Sequence, residues 1–497
     1  MHTIDFIVFL VFTLGVVVFG CSFFRKGSTA EEFTSAGHSI PGWVVGMSIF
    51  ATYVSSISYI GYPGKAFAAD WNAFVFSLSI PIASYFAAKY FVPFYRKSGS
   101  VSAYTFLEEK FGAWARLYAS ACYLLTQIAR MGSILYLLAV PMYILMGWDI
   151  HTVIILTSIG IIIYSMMGGL KAVIWADAIQ GIILIGGALL CLGLLLFRMP
   201  EGPMQAFDLA VNSPVGNKFS LGEFSLELTK STFWVCLIYG VFINLQNYGI
   251  DQNYVQRYHA AKTDRDARFS ALFGGYLFIP VSALFFLIGT VLYSYYTANP
   301  SLLPAEIAGK PDYVFPFFIV SELPVGLRGL LIASIFAAGM STVSTSVTSA
   351  ATIVLTDYFK PFFRGATNRQ RLRVDERSSG IHLAVLRLSS VCVGVLGIIV
   401  AIAMLSVESI IDAWWKLSSI FSGGMLGLFL LGCIPQKINR VAAIIGCVCG
   451  VAVIAWISLA GLWDLPGLHL HEYLAIVLGT STIFLIGFLA TLAVRRK

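Results

Sequence analysis

The chain is predicted to be an all-α polytopic membrane protein with about thirteen transmembrane helices, and three observations carry that prediction. Of its 497 residues 58% are hydrophobic and 11% charged, with a mean hydropathy of +0.83, whereas soluble domains carry about 25% charged residues. A window of about 19 residues finds apolar runs near 4–24, 42–67, 71–95, 117–147, 150–168, 171–197, 231–256, 269–297, 327–357, 383–404, 408–434, 440–462 and 471–494. The longest intervening stretches, near 198–230, 298–326 and 360–382, are too short for a soluble catalytic domain. The chain has no Walker A motif, no HExxH and no GxSxG between a strand and a helix, so a pump, kinase or hydrolase is not expected. A transporter driven by an ion gradient is the default, not an enzyme.

The first run has neither a basic leader nor a small-residue cleavage site, so it reads as a retained helix. Basic residues then set the orientation. Arg25, Lys26, Arg96, Lys97, Lys110, Arg116, Arg257, Lys262, Arg265, Arg268, the stretch 360–377, Lys437, Arg440 and the final Arg495, Arg496 and Lys497 fall on one set of loops. That set is expected in the cytoplasm, with the N-terminus outside and the C-terminus inside. The same loops account for the net charge of +7 without any nucleic acid partner. The lipid bilayer is the partner. The eight cysteines (Cys21, Cys122, Cys191, Cys236, Cys392, Cys433, Cys447, Cys449) lie in apolar runs without a CxxC pair, so buried free thiols are expected.

Polar residues inside the spans come next. The 42–67 span is interrupted by Ser55-Ser56-Ile57-Ser58 and by Pro63-Gly64, a pattern that breaks helical hydrogen bonding. The 231–256 span has a polar middle, Asn244 to Gln252. Counted from Gly42, these are the first and sixth spans of a ten-helix block. Interruptions at corresponding positions mark two inverted halves with a site at the midplane. A kink that only shapes packing is the alternative for the first.

Arg130 lies near the middle of the 117–147 span with Gln127 one turn earlier. A guanidinium at that depth either pairs internally or captures an anionic substrate through its planar fork. Asp177 lies two turns beyond the Gly168-Gly169 turn; it either joins a cation site or pairs with Lys171 or Arg130, and spacing does not choose. Ser341, Thr342, Ser344, Thr345, Ser346, Thr348 and Ser349 fill an otherwise apolar span with hydroxyls. Such residues glue membrane helices together, and a face of neutral oxygens also suits a hard cation such as sodium.

Three motifs then resemble the sodium:solute symporter family, whose fold is the LeuT-type inverted repeat of five plus five helices. They are Gly168-Gly169-Leu170-Lys171-Ala172-Val173-Ile174-Trp175-Ala176-Asp177-Ala178-Ile179-Gln180, then Gln256-Arg257-Tyr258-His259-Ala260-Ala261-Lys262, then Met340-Ser341-Thr342 through Ile353 with Thr356-Asp357-Tyr358. The resemblance covers nearly the whole chain. It implies an extra helix and loop over 1–36, the ten-helix transport core over 37–436, and two peripheral helices over 437–497. It implies a shared sodium site from the carbonyls of Ala51, Val54 and Ala338 and the hydroxyls of Ser341 and Thr342. A second sodium site, found in some members, would use Asp177, Ser344 and Thr345, giving two Na+ per cycle and no organic cofactor. Ser346, Thr348 and Ser349 are left as packing.

Within the family the chain is most similar to bacterial sodium-coupled sialic acid symporters of the inner membrane. Ile128-Ala129-Arg130-Met131-Gly132 resembles their carboxylate clamp, and Ser55 and Ser58 fall where hydroxyls face substrate. Phe94-Tyr95-Arg96, Pro63 with Lys65, and Asp70-Trp71 extend the likeness. Asn244 matches a sugar-contacting asparagine of related sugar symporters. There are departures: Ser77 stands where a glutamine contact is expected, Ala73 where an aromatic residue is, and Asn247 with Tyr248 in place of an aromatic gate pair. The implied substrate is a small carboxylated sugar bound by Arg130, Ser55, Ser58, Gln127, Asn244, Ser77 and Asn247. Another sugar or small carboxylate is the alternative solute. A membrane nutrient sensor is the alternative class, disfavoured by the short tail after Arg495.

Overall fold

The computed structural model describes residues 2–23, 29–362, 375–407, 410–436, 438–460 and 470–495. Among these, twelve helices are long and apolar enough to cross a membrane, and one bent pair makes a thirteenth span. In order they are α1 (Thr3–Ser22), the bent α2 (Gly42–Tyr53 and Ile57–Ala68), α3 (Asn72–Ser98), α4 (Ala113–Tyr143), α5 (Ile150–Met167), α6 (Gly169–Phe197), α7 (Phe233–Ile250), α8 (Asp264–Ala298), α9 (Leu327–Phe362), α10 (Gly380–Ser406), α11 (Ile410–Cys433), α12 (Arg440–Ser458) and α13 (Leu474–Ala493). Every predicted run is a helix, and α7 continues past a break as Gln252–Ala260.

Both breaks have a local cause. In α2 the backbone leaves the helical region at Val54 (φ −79°, ψ 106°), and the Ser55 hydroxyl accepts the Ile57 N–H at 3.2 Å. A serine that captures a backbone donor two residues on competes with the helix ladder. The two halves diverge by 57°. In α7 the break is Asp251 (φ −77°, ψ 126°), whose carboxylate accepts the Asn253 N–H at 2.8 Å and caps the second half. Gly169 joins α5 to α6 at φ +59°, a left-handed backbone that glycine adopts without strain, as the expected Gly-Gly turn requires.

Burial separates core from periphery. The apolar window of α9 is 94% buried and that of α1 only 22%. Even so, α1 is tied to the core, because the Asp5 carboxylate accepts the N–H groups of Gly326 (2.6 Å) and Gly329 (3.2 Å) at the start of α9. The α2–α8 contact is a seam of small residues, which lets backbones approach closely. A Cβ on Gly289 would stand 2.2 Å from the Pro63 carbonyl oxygen, and one on Gly274 would stand 2.9 Å from that of Gly46. Gly289→Ala is therefore expected to lower stability by about 1–3 kcal/mol, the usual range for forced overpacking. A thermal melt in detergent checks this, and an unchanged midpoint would contradict the contact.

Three sequence readings need correction. Arg257, counted among the loop cations, is completely buried on the second half of α7. The cysteines are free, but only Cys191, Cys236 and Cys447 are buried; Cys392 and Cys433 are exposed on the helix surface. Asp251, passed over inside the polar run from Asn244 to Gln252, is a second acidic residue deep in the bundle, 2% exposed. Of the basic residues used for orientation, Arg25, Lys26, Arg364, Arg369, Arg371, Arg373, Lys437, Arg496 and Lys497 lie outside the described residues.

Candidate functional site

The break in α2 opens onto a cavity of about 50 Å³ lined from α2, α3, α4, α7 and α11. Its polar lining includes Ser55, Ser58, Gln127, Arg130, Asn247 and Asp251. Tyr53, Tyr62, Phe76, Tyr239, Trp414 and Trp415 form aromatic walls. Apolar walls with a few converging polar groups are the usual make-up of a small-molecule site. The volume admits a few waters, so a larger solute requires the walls to part.

Arg130 dominates the polar side. Its Nη2 donates to the Thr52 carbonyl at 2.6 Å, one of the acceptors freed where α2 stops. Its guanidinium carbon lies 6.0 Å from the Trp414 ring centre, within cation–π range. Gln127 Nε2 approaches Asp251 Oδ2 at 3.4 Å, while Gln127 Oε1 accepts from Asn253 (3.1 Å) and from Ser346 (2.7 Å). Ser346 thus joins the hydroxyl ladder of α9 to the cavity, a role its spacing alone did not reveal.

Five of the seven expected substrate residues meet at this cavity: Arg130, Ser55, Ser58, Gln127 and Asn247. Asn244 and Ser77 do not line it. Asn244 Nδ2 donates to Ser79 Oγ at 2.8 Å and its Oδ1 accepts from the Tyr53 hydroxyl. Ser77 shares a 2.7 Å hydrogen bond with Ser282. Both are fully buried. They support the wall that carries Tyr53 and Phe76.

The ladder of α9 faces Asp177. Ser341 Oγ donates to Asp177 Oδ1 at 2.7 Å, and Ser48 Oγ donates to Oδ2 at 2.6 Å. One carboxylate of α6 therefore ties α2 to α9. The partner of Asp177 is neither Lys171 nor Arg130. It is Arg257, whose Nη2 lies 2.7 Å from Asp177 Oδ2 with both side chains fully buried. Arg257 also donates to Thr345 Oγ1 (2.6 Å), Ser48 Oγ (2.7 Å) and the Asn253 carbonyl (2.7 Å).

Hydroxyl orientation matters for a cation, which takes lone pairs and not protons. The proton of Ser341 rests on Asp177, that of Thr342 on the Ala338 carbonyl (3.2 Å), and that of Ser344 on the Ser341 carbonyl (2.9 Å). All three oxygens keep lone pairs free. Ala51, Val54 and Ala338 are each 1% exposed, and Val54 sits at the α2 break. Among the described residues no cluster of three His, Cys, Asp or Glu side chains could hold a metal ion. Neutral hydroxyl and carbonyl oxygens of this kind suit a hard monovalent cation better than a soft transition metal.

The two faces of the bundle differ. Further along α2, towards the face where the chain begins, lies a second cavity of about 660 Å³ lined by Gly61, Lys65, Asp312, Tyr313, Ile411 and Asp412, among others. Within its lining Lys65 pairs with Asp412 at 2.8 Å. Lys416 pairs with Glu472. The opposite face is crossed by ion pairs and backbone hydrogen bonds. Arg96 pairs with Asp264 and donates to the carbonyls of Tyr258 and Ala261, each at 2.9 Å. The Ile40 N–H reaches the Ala260 carbonyl at 3.1 Å. Arg116 joins Asp357 at 2.7 Å.

Comparison with known proteins agrees with this architecture. Residues 33–450 match the profile of the sodium:solute symporter family. The sodium/sialic acid symporter NanT of Aliivibrio fischeri is 31% identical over 495 residues, covering 98% of this chain and 92% of the relative. The sodium/sialic acid symporter SiaT of Proteus mirabilis is 33% identical over 461 residues, covering 92% and 90%. The solved structure of a Na+-coupled sialic acid symporter in a substrate-bound outward-open state superposes with a TM-score of 0.88 at 29% identity, covering 99% and 98% of the two chains.

Proposed function

The chain belongs to the sodium:solute symporter family, and from that premise we propose that it imports a small sugar acid of the sialic acid type, with two sodium ions per cycle. It is a multi-pass membrane carrier of LeuT-type fold, not an enzyme. The observation that carries the substrate reading is Arg130, a guanidinium in an aromatic-walled cavity beside the broken α2. The aromatic faces and the hydroxyls of Ser55 and Ser58 favour a sugar acid over a plain carboxylate. The relatives named for sialic acid support the same choice.

In this reading sodium reaches Ala51, Val54, Ala338, Ser341 and Thr342 from outside and holds α2 against α9. The second ion shares Asp177, Ser344 and Thr345 with Arg257. The solute's carboxylate then takes the Arg130 fork, and its hydroxyls meet Ser55, Ser58, Gln127 and Asn247. Asn244 and Ser77 shape the wall behind. The face bearing Lys65 and Asp412 is the outer one, the N-terminus is outside, and the membrane is the bacterial inner membrane. The core spans 37–436, with 1–36 and 437–497 peripheral. Coupling requires that sodium and solute favour the same conformation.

Proteoliposomes test the reading. Radiolabelled N-acetylneuraminate is expected to accumulate above its external concentration under an inward sodium gradient and to equilibrate only slowly in potassium. Equal uptake in both salts would overturn the sodium coupling.

A further inference from the structure

The charges of the substrate cavity do not suit an anion by themselves. Its lining holds one guanidinium, Arg130, and one carboxylate, Asp251. Among the described residues the two form no direct ion pair, yet both line the same small cavity. The other nearby guanidinium, Arg257, is already matched by Asp177. With both groups ionised, the charges of the cavity lining cancel. A docked carboxylate brings its charge to minus one inside a low-dielectric bundle, where an uncompensated charge is costly.

We infer that Asp251 is a charge-coupling residue: by offsetting the charge of Arg130 in the cavity lining, it makes docking of an anionic solute depend on a co-bound cation. The inference rests on the reading of Arg130 as the anion's clamp. Sodium on the α9 ladder supplies the missing positive charge, and a polar path runs between the two places. Ser346 on α9 donates to Gln127 Oε1, and Gln127 Nε2 faces Asp251. Asp251 also has free acceptor capacity towards the cavity. Among the described residues its Oδ1 takes the Asn253 N–H, and its Oδ2 has only the 3.4 Å approach of Gln127. A charged carboxylate accepts about four hydrogen bonds.

The bland role for Asp251 is the helix cap, and Asp251→Asn separates the two because asparagine caps as well as aspartate. Affinity of the purified protein for N-acetylneuraminate is measured in sodium and in potassium by calorimetry. Wild type is expected to bind at least about tenfold more tightly in sodium. In Asp251→Asn that ratio falls towards one because affinity in potassium rises, while Asp251→Glu keeps the ratio. A wild-type ratio in Asp251→Asn, equal weakening in both salts, or loss of the ratio in Asp251→Glu would each overturn the inference. Should Asp251→Asn fail to fold, Asp251→Ser, which also caps, takes its place with the same expected result. The anion reading fails separately: it is sunk if Arg130→Ala binds the acid like wild type, whatever the Asp251 variants do.

Discussion

Arg130→Ala is expected to abolish sodium-driven uptake of the acidic solute and to weaken its binding by about 100-fold or more. Truncating one partner of a buried, hydrogen-bonded charge pair costs about 2–5 kcal/mol, and each 1.4 kcal/mol is tenfold in affinity. Two losses combine in this variant. The solute's carboxylate loses its bidentate fork, and Asp251 is left as the cavity's only charge. Arg130→Lys is expected to recover little, because a point charge cannot reproduce the planar fork or hold both the Thr52 carbonyl and the solute. Binding in sodium buffer is the measurement; full affinity in Arg130→Ala would remove the clamp from the scheme.

The second large effect is at the ion pair beneath the ladder. Asp177→Ala strands Arg257, which has no exposure to solvent. Removing one member of such a pair costs about 3–5 kcal/mol. The variant is expected to melt well below wild type in detergent and to show no sodium-driven uptake. Replacing both members, Asp177→Asn with Arg257→Gln, leaves no bare charge. That double variant is expected to recover most of the melting temperature without recovering the sodium dependence. Recovery of both would mean that Asp177 serves packing alone. A melt of Asp177→Ala equal to wild type would refute the buried pair.

Much of this architecture was legible from residue order. The breaks at Val54 and Asp251 were announced by serines, Pro63 and a polar run, because the groups that end a helix are neighbours along the chain. Arg130 and Asp177 stood out because an ionisable residue in an apolar run has few explanations. The resemblance of three motifs gave those polar residues expected roles at the sites of a symporter. What was missed shares one property. Arg257 looked like a loop cation because its own segment, Gln252–Ala260, is polar; only the approach of α6 and α9 buries it. Asp251 lay within the polar run from Asn244 to Gln252, yet its meaning depends on Arg130, far away on α4.

Hydropathy and helix-breaking residues therefore settled the class, the number of spans and the places where two of them break, since each is decided within a turn or two of backbone. The solvent is part of that argument: lipid satisfies no backbone group, so an apolar run of this length has to be a helix. Which charges neutralise one another was decided only by the folded bundle. Asp177 meets Ser341 across 164 positions and Arg257 across 80, and Gln127 meets Ser346 across 219. Coulomb and hydrogen-bond energies depend on distance in space, and helix packing sets those distances.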